Sequence, residues 1–403
     1  MIKIGLRHNL IYPLMLIFFT VLRITDVIIM KHYFVFDFSL LLIFCMFLGE
    51  FIGGLFLYKY ELSSITSKKD NQKDNRDRGK SLVNKIKLIK SSSQIQPVDS
   101  RLKILSLMFL SSLFDFIEFI TSLYFLPMYV NEFVHHEGDE KEIVSKTLES
   151  RLSGFLTITA ALFFYYVLKF PIFRHQMFSL VIIFICLIVI VSTEFFFVDL
   201  KTKEKQYAIV LLLIFGIHFF NALLDSIEKY LFEYDFVNPF HALMFEGFFG
   251  MILTIIFFFV KNPFQEKNDY DGKEILFYVC LFLYCLLSGG RNAYRVATNK
   301  IYSPMAKTLT DYILNPILLI HYYVVSDDFN NNSFYFILNL IISILISFCG
   351  CVYNEFLILF CCKLEYDTHY EVKKRAASKE NVFEIGEDPS FISEEYNDTK
   401  SEP

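Results

Sequence analysis

Tryptophan is absent from the 403 residues, and so are the short motifs that mark several large classes of enzymes. No phosphate-binding P-loop, zinc-protease motif or nucleophile elbow occurs, and Gly289 and Gly290 alone do not make a phosphate loop. The eight cysteines lie in or at the ends of apolar runs and lack the spacing to histidine that metal sites need. We therefore expect a protein that is not an enzyme and that has no metal, no other cofactor and no disulfide framework.

Polar residues are also too few for a soluble domain. Hydrophobic residues make up 54% of the chain, and the mean hydropathy is +0.44. Because soluble domains are at most about half apolar, the composition predicts an integral membrane protein. The 48 phenylalanines and 24 tyrosines must supply any aromatic belt at the membrane interfaces. The expected partners are the lipid bilayer and a small-molecule substrate, with no nucleic acid and with a homodimer left open.

Ten apolar runs have the length of about 20 residues that a helix needs to span a bilayer. They lie at residues 10–30, 37–58, 103–126, 150–170, 176–197, 206–230, 239–260, 274–295, 303–325 and 334–362. We expect the first run to act as a signal anchor rather than as a cleaved signal peptide. Two charged segments, 59–102 and 363–403, are predicted to be a disordered linker and a disordered acidic tail.

The distribution of lysine and arginine between loops predicts the orientation. The linker 59–102 is rich in both, and it decides the assignment. We expect the linker, the tail and both termini in the cytosol. The membrane is expected to be an endomembrane, that is, the Golgi, the endoplasmic reticulum or an endolysosome.

A weak internal repeat relates the two halves of the chain. A unit of five spans is odd, so a second copy enters the membrane upside down, as in inverted-repeat transporters. The predicted repeat 1 comprises residues 1–58 and 103–197, on either side of the linker, and repeat 2 comprises residues 198–362. The fold class is thus an all-α membrane protein with ten transmembrane helices in two inverted five-helix repeats. The matching acids are Asp26, Asp37 and Glu50 in the first half and Asp225, Asp235 and Glu246 in the second.

Several predicted spans carry polar residues at steps of three and four, so each has one polar helix face. Such faces are costly in lipid and usually line a protein interior or a water-filled cavity. The alternative for glutamates beside glycines is close helix packing. The candidate substrate-binding residues are Arg151, Asn221, Asp225, Lys307, Asp311 and Asn315. The candidate coupling-ion or gating residues are Glu50, Asp115, Glu118 and Glu246.

Lys307 and Asp311 are four residues apart and can pair on one helix face. Because Arg151 opens the fourth predicted span and Lys307 the ninth, we interpret them as mates under the repeat that face one cavity. Two cations would suit an anionic substrate, which would displace Asp311 from Lys307. A purely structural ion pair is the alternative.

Three stretches resemble a known family. They run from Glu228 to Gly250 (EKYLFEYDFVNPFHALMFEGFFG), from Lys300 to Asp311 (KIYSPMAKTLTD) and from Ser150 to Gln176. Together with the ten-span layout, they are similar to the drug/metabolite transporter superfamily, in its nucleotide-sugar-transporter-like branch of solute carrier 35 F-type and EamA-type proteins. The long insert at 59–102 departs from that pattern. The resemblance implies transport but no particular substrate.

The predicted function is secondary transport by alternating access of an anionic metabolite, such as a nucleotide sugar or an organic phosphate. Two alternatives stay open. A proton-coupled exporter of a cationic or zwitterionic metabolite would use the buried acids. A non-transporting membrane scaffold would need no polar cavity. A multi-span transferase is disfavoured, because no motif occurs in the loops expected to be lumenal.

Overall fold

The described part of the protein is almost entirely helical. The computed structural model describes residues 2–4, 11–34, 38–73, 98–131, 149, 151–197, 204–261, 273–301, 307–308, 312, 315–317, 319–320, 333–368, 371–372 and 374–375. The regular elements in chain order are β1 (Ile2–Ile4), α1 (Ile11–Tyr33), α2 (Ser39–Lys73), α3 (Val98–Ile120), α4 (Leu126–Asn131), α5 (Gly154–Tyr166), α6 (Arg174–Phe197), α7 (Glu204–Glu233), α8 (Pro239–Lys261), α9 (Glu274–Ile301), α10 (Ser333–Tyr353) and β2 (Leu357–Leu359).

Within these described residues, eight helical segments are long and apolar enough to cross a membrane. They are α1, α2, α3 with its continuation through a π-turn into α4, and α6 to α10. α5 is also apolar but has only 13 residues. The chain is therefore a helical, multi-pass integral membrane protein, as its composition predicts.

Two predicted spans are shorter as regular helices. α5 occupies only part of the predicted span 150–170. α10 ends at Tyr353, although the predicted span continues to residue 362. There the chain leaves the helix because Glu355 adopts a left-handed φ of 60°. The amide of Phe356 then donates to the carbonyl of Cys351 at 2.9 Å, which closes the turn.

Some predicted segments fall largely outside the described residues. These are most of the ninth predicted span, 303–325, residues 74–97 of the predicted linker and residues 376–403 of the predicted tail. Two acids named above, Asp37 and Asp311, are also outside them. α2 continues through residues 59–73, so this part of the predicted linker is helical.

The small sheet constrains the topology. β1 pairs antiparallel with β2, with Ile4 opposite Leu357. A two-stranded sheet has open edges, which cannot lie in the hydrocarbon of a bilayer. The segments before α1 and after α10 therefore lie on the same side of the membrane, here called the sheet side, and the opposite side is the far side. Between β1 and β2 the chain crosses the membrane an even number of times.

The helix contacts follow a regular pattern. α2 packs against α8 and α9, α1 against α9, α3 against α7 and α8, and α6 against α10. Exchanging α1 with α7, α2 with α8, α3 with α9 and α6 with α10 leaves this set unchanged: α1–α9 becomes α7–α3, α2–α9 becomes α8–α3, and α2–α8 and α6–α10 map onto themselves. The contact of α5 with α7 has no counterpart among the described helices. The helices before and after residue 200 thus pack in corresponding ways.

Glycines permit the closest of these contacts. Added methyl groups at Gly49 of α2 and Gly289 of α9 would each meet the backbone of the other helix. Gly54 and Gly247 make the same kind of contact between α2 and α8. In membranes, helix association depends on such close packing, because lipid supplies no hydrophobic driving force between helices. The glycines therefore hold α2 against both α8 and α9.

We predict that Gly49→Ala destabilises the protein by about 1–3 kcal/mol, the usual cost of forcing extra volume into a packed interior. The new methyl group would overlap the carbonyl oxygen of Cys285. Thermal unfolding of the purified protein in detergent measures the effect. The matched control is Gly216→Ala, where no atom lies within 4 Å of the added carbon. The control should raise or preserve stability, because alanine favours helix over glycine by about 1 kcal/mol. Equal effects of the two changes would contradict the close contact.

Candidate functional site

Six carboxyl groups from four helices converge inside the helix bundle. Glu50, Glu228 and Glu246 have no exposed surface, Asp115 and Asp225 are at most 2% exposed, and Glu118 is partly buried. Polar partners come mainly from α7, α9 and the segment after α9. We call the whole set the buried network; it comprises Glu50, Ser111, Asp115, Glu118, Asn221, Asp225, Glu228, Glu246, Arg291, Asn292, Arg295, Asn299 and Lys307.

Arg295 forms ion pairs with two of the acids. Its guanidinium lies 2.6 Å from the carboxylate of Glu228 on α7 and 3.3 Å from that of Glu246 on α8. The remaining oxygens of both acids accept hydrogen bonds, from Asn299 to Glu228 at 2.6 Å and from Ser111 to Glu246 at 2.6 Å. Asn292, Arg295 and Asn299 follow at steps of three and four, so one face of α9 presents them together. This arrangement ties α3, α7, α8 and α9 to one another.

Lys307 forms the second ion pair. Its ammonium lies 2.6 Å from the carboxylate of Asp225 and also donates to the amide oxygen of Asn221. The amide nitrogen of Asn221 donates in turn to Glu118 on α3 at 2.7 Å. Lys307 is thus bound to α7, and through Asn221 to α3. Its expected partner Asp311 lies outside the described residues.

Glu50 and Asp115 have no cation bonded to them within the described part of the chain. Glu50 accepts one hydrogen bond, from the amide of Asn292 on α9. Its second oxygen and one oxygen of Asp115 have no hydrogen-bond partner there. The guanidinium groups of Arg295 and Arg291 attract the negative charge of Glu50 without bonding to it, whereas the carboxyl groups of Asp115 and Glu246 repel that charge. Neither Glu50 nor Asp115 is therefore paired directly with a cation among the described residues.

Acids outnumber bases in the buried network. Its six carboxyl groups face three cations, Arg291, Arg295 and Lys307, which leaves three surplus negative charges at full ionisation. Arg291 is partly buried and donates to Asn292 at 2.8 Å. Each uncompensated buried charge costs several kcal/mol. The arrangement therefore favours the binding of protons or of another positive charge.

The surplus of negative charge in the network comes from the first half of the chain, before residue 198. All three cations follow residue 198, and so do three acids that match them in number: Asp225, Glu228 and Glu246. The other three acids of the network, Glu50, Asp115 and Glu118, precede residue 198. No cation of the network precedes that residue. Two of these three acids are bonded across the halves by neutral amides, Asn292 and Asn221.

Arg151 lies elsewhere. Its guanidinium donates to Asn339 at 2.6 Å and to the hydroxyl of Tyr335 at 2.8 Å, both at the start of α10. No contact described in the structure joins Arg151 to Lys307. Asn315 is also separate from the network contacts; it is 1% exposed, and neither polar atom of its side chain has a hydrogen-bond partner among the described residues.

Seven of the ten candidate residues lie in this network, and six further members were not among the candidates: Ser111, Glu228, Arg291, Asn292, Arg295 and Asn299. The sequence carried a signal for some of these six. Glu228 continues the polar face of Asn221 and Asp225, and Arg295 follows Asn292 by three residues. The sequence shows these faces but does not show which helices they meet.

A cavity of about 380 Å³ approaches the network from the sheet side. Two of its lining residues adjoin network members, since Met108 precedes Ser111 by about one turn of α3 and Phe245 precedes Glu246 in α8. Aromatic, charged, aliphatic and amide side chains near the helix ends form the rest of the wall. The lining consists of Tyr58, Arg101, Ile104, Leu105, Met108, Asp235, Phe236, Val237, Asn238, His241 and Phe245.

No model of a protein family matches the chain, and no curated protein matches it significantly. The chemistry of the site is therefore judged from the geometry of the network.

We predict that Arg295→Ala lowers the free energy of unfolding by about 3–5 kcal/mol, because removing one partner leaves buried charges uncompensated. Thermal unfolding in detergent measures the loss. Lys103→Ala is the control, since its 49%-exposed side chain pairs with Asp235 at 3.5 Å near the sheet-side surface. Such an exposed pair contributes at most about 1 kcal/mol. A loss from Arg295→Ala no larger than that of the control would show that Arg295 does not hold the network together.

Proposed function

We propose that the chain is a secondary transporter of the drug/metabolite type, which moves a small organic solute by alternating access. The observation that carries the proposal is the buried network itself. It lies where helices of the two halves meet, and three of its hydrogen bonds cross between them: Ser111–Glu246, Asn292–Glu50 and Asn221–Glu118. Polar residues at membrane depth, buried between halves, are typical of transport pathways.

Ten crossings are part of this proposal. The segment that contains α5 reaches both sides, because Arg151 bonds to the far-side start of α10 and the carbonyl of Leu168 accepts from Tyr234 at the sheet-side end of α7. The segment after α9 behaves similarly. Lys307 contacts α7 towards the sheet side, and Leu319 packs on Tyr335 at the far-side start of α10. Two further crossings keep the number even, as the sheet requires.

Inverted halves account for the exchangeable helix contacts. The polar faces of α3 and α9 also match, since Ser111, Asp115 and Glu118 have the same steps of four and three as Ser288, Asn292 and Arg295. Under the exchange, the α3–α8 bond at Glu246 corresponds to the α9–α2 bond at Glu50. These likenesses support two five-span repeats and the family resemblance.

Contacts close the halves against each other on both sides of the network. On the sheet side, Asn238 donates to Glu61 at 2.6 Å. On the far side, Arg151 bonds to α10. Alternating access requires that each set opens in turn, and the hydrogen bonds of the network must exchange as the halves move. Cytosolic termini, which the loop charges predict, and an endomembrane location are further parts of the proposal.

The acid surplus bears on the substrate. An anionic metabolite would need Lys307 and Arg151 in one place, whereas Lys307 is bound to Asp225 and Arg151 to α10. A cationic or zwitterionic solute, exchanged for protons, suits the three acids of the first half better. This second class is therefore the one that the network favours, and a non-transporting scaffold would have no use for the surplus.

We predict that an amine-bearing solute added on one side of liposomes containing the purified protein crosses in exchange for protons, which are released on the side of addition. A pH-sensitive dye measures the flux over panels of amines, amino acids, nucleotide sugars and organic phosphates. Glu118→Gln preserves shape but removes a charge, and it should slow the flux at least about tenfold, equivalent to ~1.4 kcal/mol of barrier.

The matched control is Glu233→Gln, whose 47%-exposed carboxylate lies outside the buried network and pairs with Lys229 at 2.9 Å near the end of α7. It should transport like the unaltered protein. Flux with nucleotide sugars alone would favour the anionic class, and the absence of flux with every panel would favour the scaffold.

A further inference from the structure

The cavity at the sheet-side ends of α2, α3, α7 and α8 has a wall with two kinds of surface. Its volume of about 380 Å³ lies within the range of ~300–1,000 Å³ that is usual for ligand sites. Arg101, in the first turn of α3, brings a positive charge to the wall, and most of the other lining groups are aromatic or aliphatic. A ligand that matches this wall is therefore amphipathic.

The charge of the wall is positive. Asp235 is the one acid among the described lining residues, and its carboxylate lies 3.5 Å from the ammonium of Lys103. That ammonium also donates to the hydroxyl of Tyr230 at 2.8 Å, which fixes its position. The charges of Asp235 and Lys103 offset each other, whereas Arg101 has no ion pair within the described part of the chain. The polar end of the ligand is therefore expected to be an anion.

One side of the cavity opens towards the bilayer. Leu102, Leu105 and Phe109 follow at steps of three and four, so they share one face of α3, and all three are exposed. Exposed apolar residues on a membrane span face lipid tails, which are as apolar as leucine itself. Leu105 belongs both to this face and to the lining of the cavity. A lipid can therefore reach the cavity from within the membrane.

Arg101 lies at the depth of the lipid headgroups. It begins the part of α3 that is long and apolar enough to span the membrane. Leu105 and Phe109 follow it at intervals of four residues, so both lie below it on the same side of the helix. Further into the membrane, the ring of Phe109 contacts that of Phe249 on α8, with 5.4 Å between their centroids. A lipid with its phosphate at Arg101 thus has an apolar surface beside its acyl chains.

The loop between α7 and α8 places an exposed aromatic ring on the same cavity. Phe236 lines the cavity, is 85% exposed and has a left-handed φ of 53°. This backbone conformation is unfavourable for a bulky residue, and so is the contact of its ring with water. A lipid in the cavity would cover the ring, whereas a small soluble anion would leave it exposed.

We propose that this cavity binds an anionic phospholipid of the sheet-side leaflet, with the phosphate at Arg101 and the acyl chains along Leu105 and Phe109. The planar guanidinium of arginine can donate two parallel hydrogen bonds to phosphate oxygens. A zwitterionic lipid offers the same phosphate but carries a cation of its own, so its attraction to Arg101 is weaker. The proposal concerns binding only and does not rest on the transport function.

Native mass spectrometry of the purified full chain in detergent micelles measures this binding. Phosphatidylglycerol is the anionic probe, phosphatidylcholine the zwitterionic one, and glycerol phosphate represents the headgroup without acyl chains. We expect a saturable complex with phosphatidylglycerol, at an affinity at least about fivefold above that for phosphatidylcholine, the gain expected from the attraction of one arginine to an anionic lipid. Glycerol phosphate should form no saturable complex at the same concentrations.

The variants locate the site. Arg101→Gln should lower the affinity for phosphatidylglycerol by about the same factor of five and remove the preference over phosphatidylcholine, whereas Arg101→Lys retains the charge and should keep the preference. Phe236→Gly removes the ring and relieves the left-handed strain; it should fold and bind both lipids more weakly. The control is Arg174→Gln, which makes the same change at an exposed arginine at the start of α6 that does not line the cavity. It should bind like the unaltered protein.

Three results would overturn the proposal. One is an equal affinity of the unaltered protein for phosphatidylglycerol and phosphatidylcholine. A second is binding of glycerol phosphate as tight as that of phosphatidylglycerol, which would identify a soluble phosphate ester as the ligand. The third is an affinity for phosphatidylglycerol that neither Arg101→Gln nor Phe236→Gly changes, which would place the lipid elsewhere. Proton flux is a separate readout, so either proposal can fail while the other stands.

Discussion

The double ion pair of Arg295 with Glu228 and Glu246 is the contact on which the rest of the structure depends. It lies among carboxyl groups that would otherwise repel one another inside a membrane, and it binds Glu228 and Glu246 directly. Such an arrangement adds little to stability compared with an apolar core, because desolvation of the charges offsets their attraction. Breaking it is costly, however, since the acids would be left uncompensated. A bundle built only to be stable would not need this network, and its presence is the physical argument for a function.

Close helix packing makes the network possible. Gly49 and Gly289 bring α2 and α9 into backbone contact, and Gly247 brings α8 against α2. Because no side chains separate these helices, short bonds such as the one from Asn292 to Glu50 can form across them. The glycine contacts thus set the distance between the two halves. The polar network gives the interface between the halves a negative charge, which bound protons or a cationic solute can change.

Periodicity in the sequence predicts part of this architecture and leaves the rest open. Steps of three and four reveal the polar faces of α3, α7 and α9, and apolar runs reveal most spans. Helix ends that depend on local geometry are less visible, as at Tyr353, where a left-handed Glu355 ends α10. Partners are the least visible, because they depend on which helices pack together. The pairing of Lys307 with Asp225 joins residues far apart in the chain, whereas spacing alone suggested Asp311.

The central claim is that the buried network, of which the ion pair of Lys307 and Asp225 is a part, serves transport rather than folding. The most direct measurement is made on the double variant Lys307→Met with Asp225→Leu, which removes both charges and preserves volume. Replacing a buried ion pair by apolar residues is often neutral or stabilising, so the variant should unfold at or above the temperature of the unaltered protein. In liposomes it should lose solute-dependent proton flux. Full flux in a folded double variant would contradict the account and leave the pair with a structural role only.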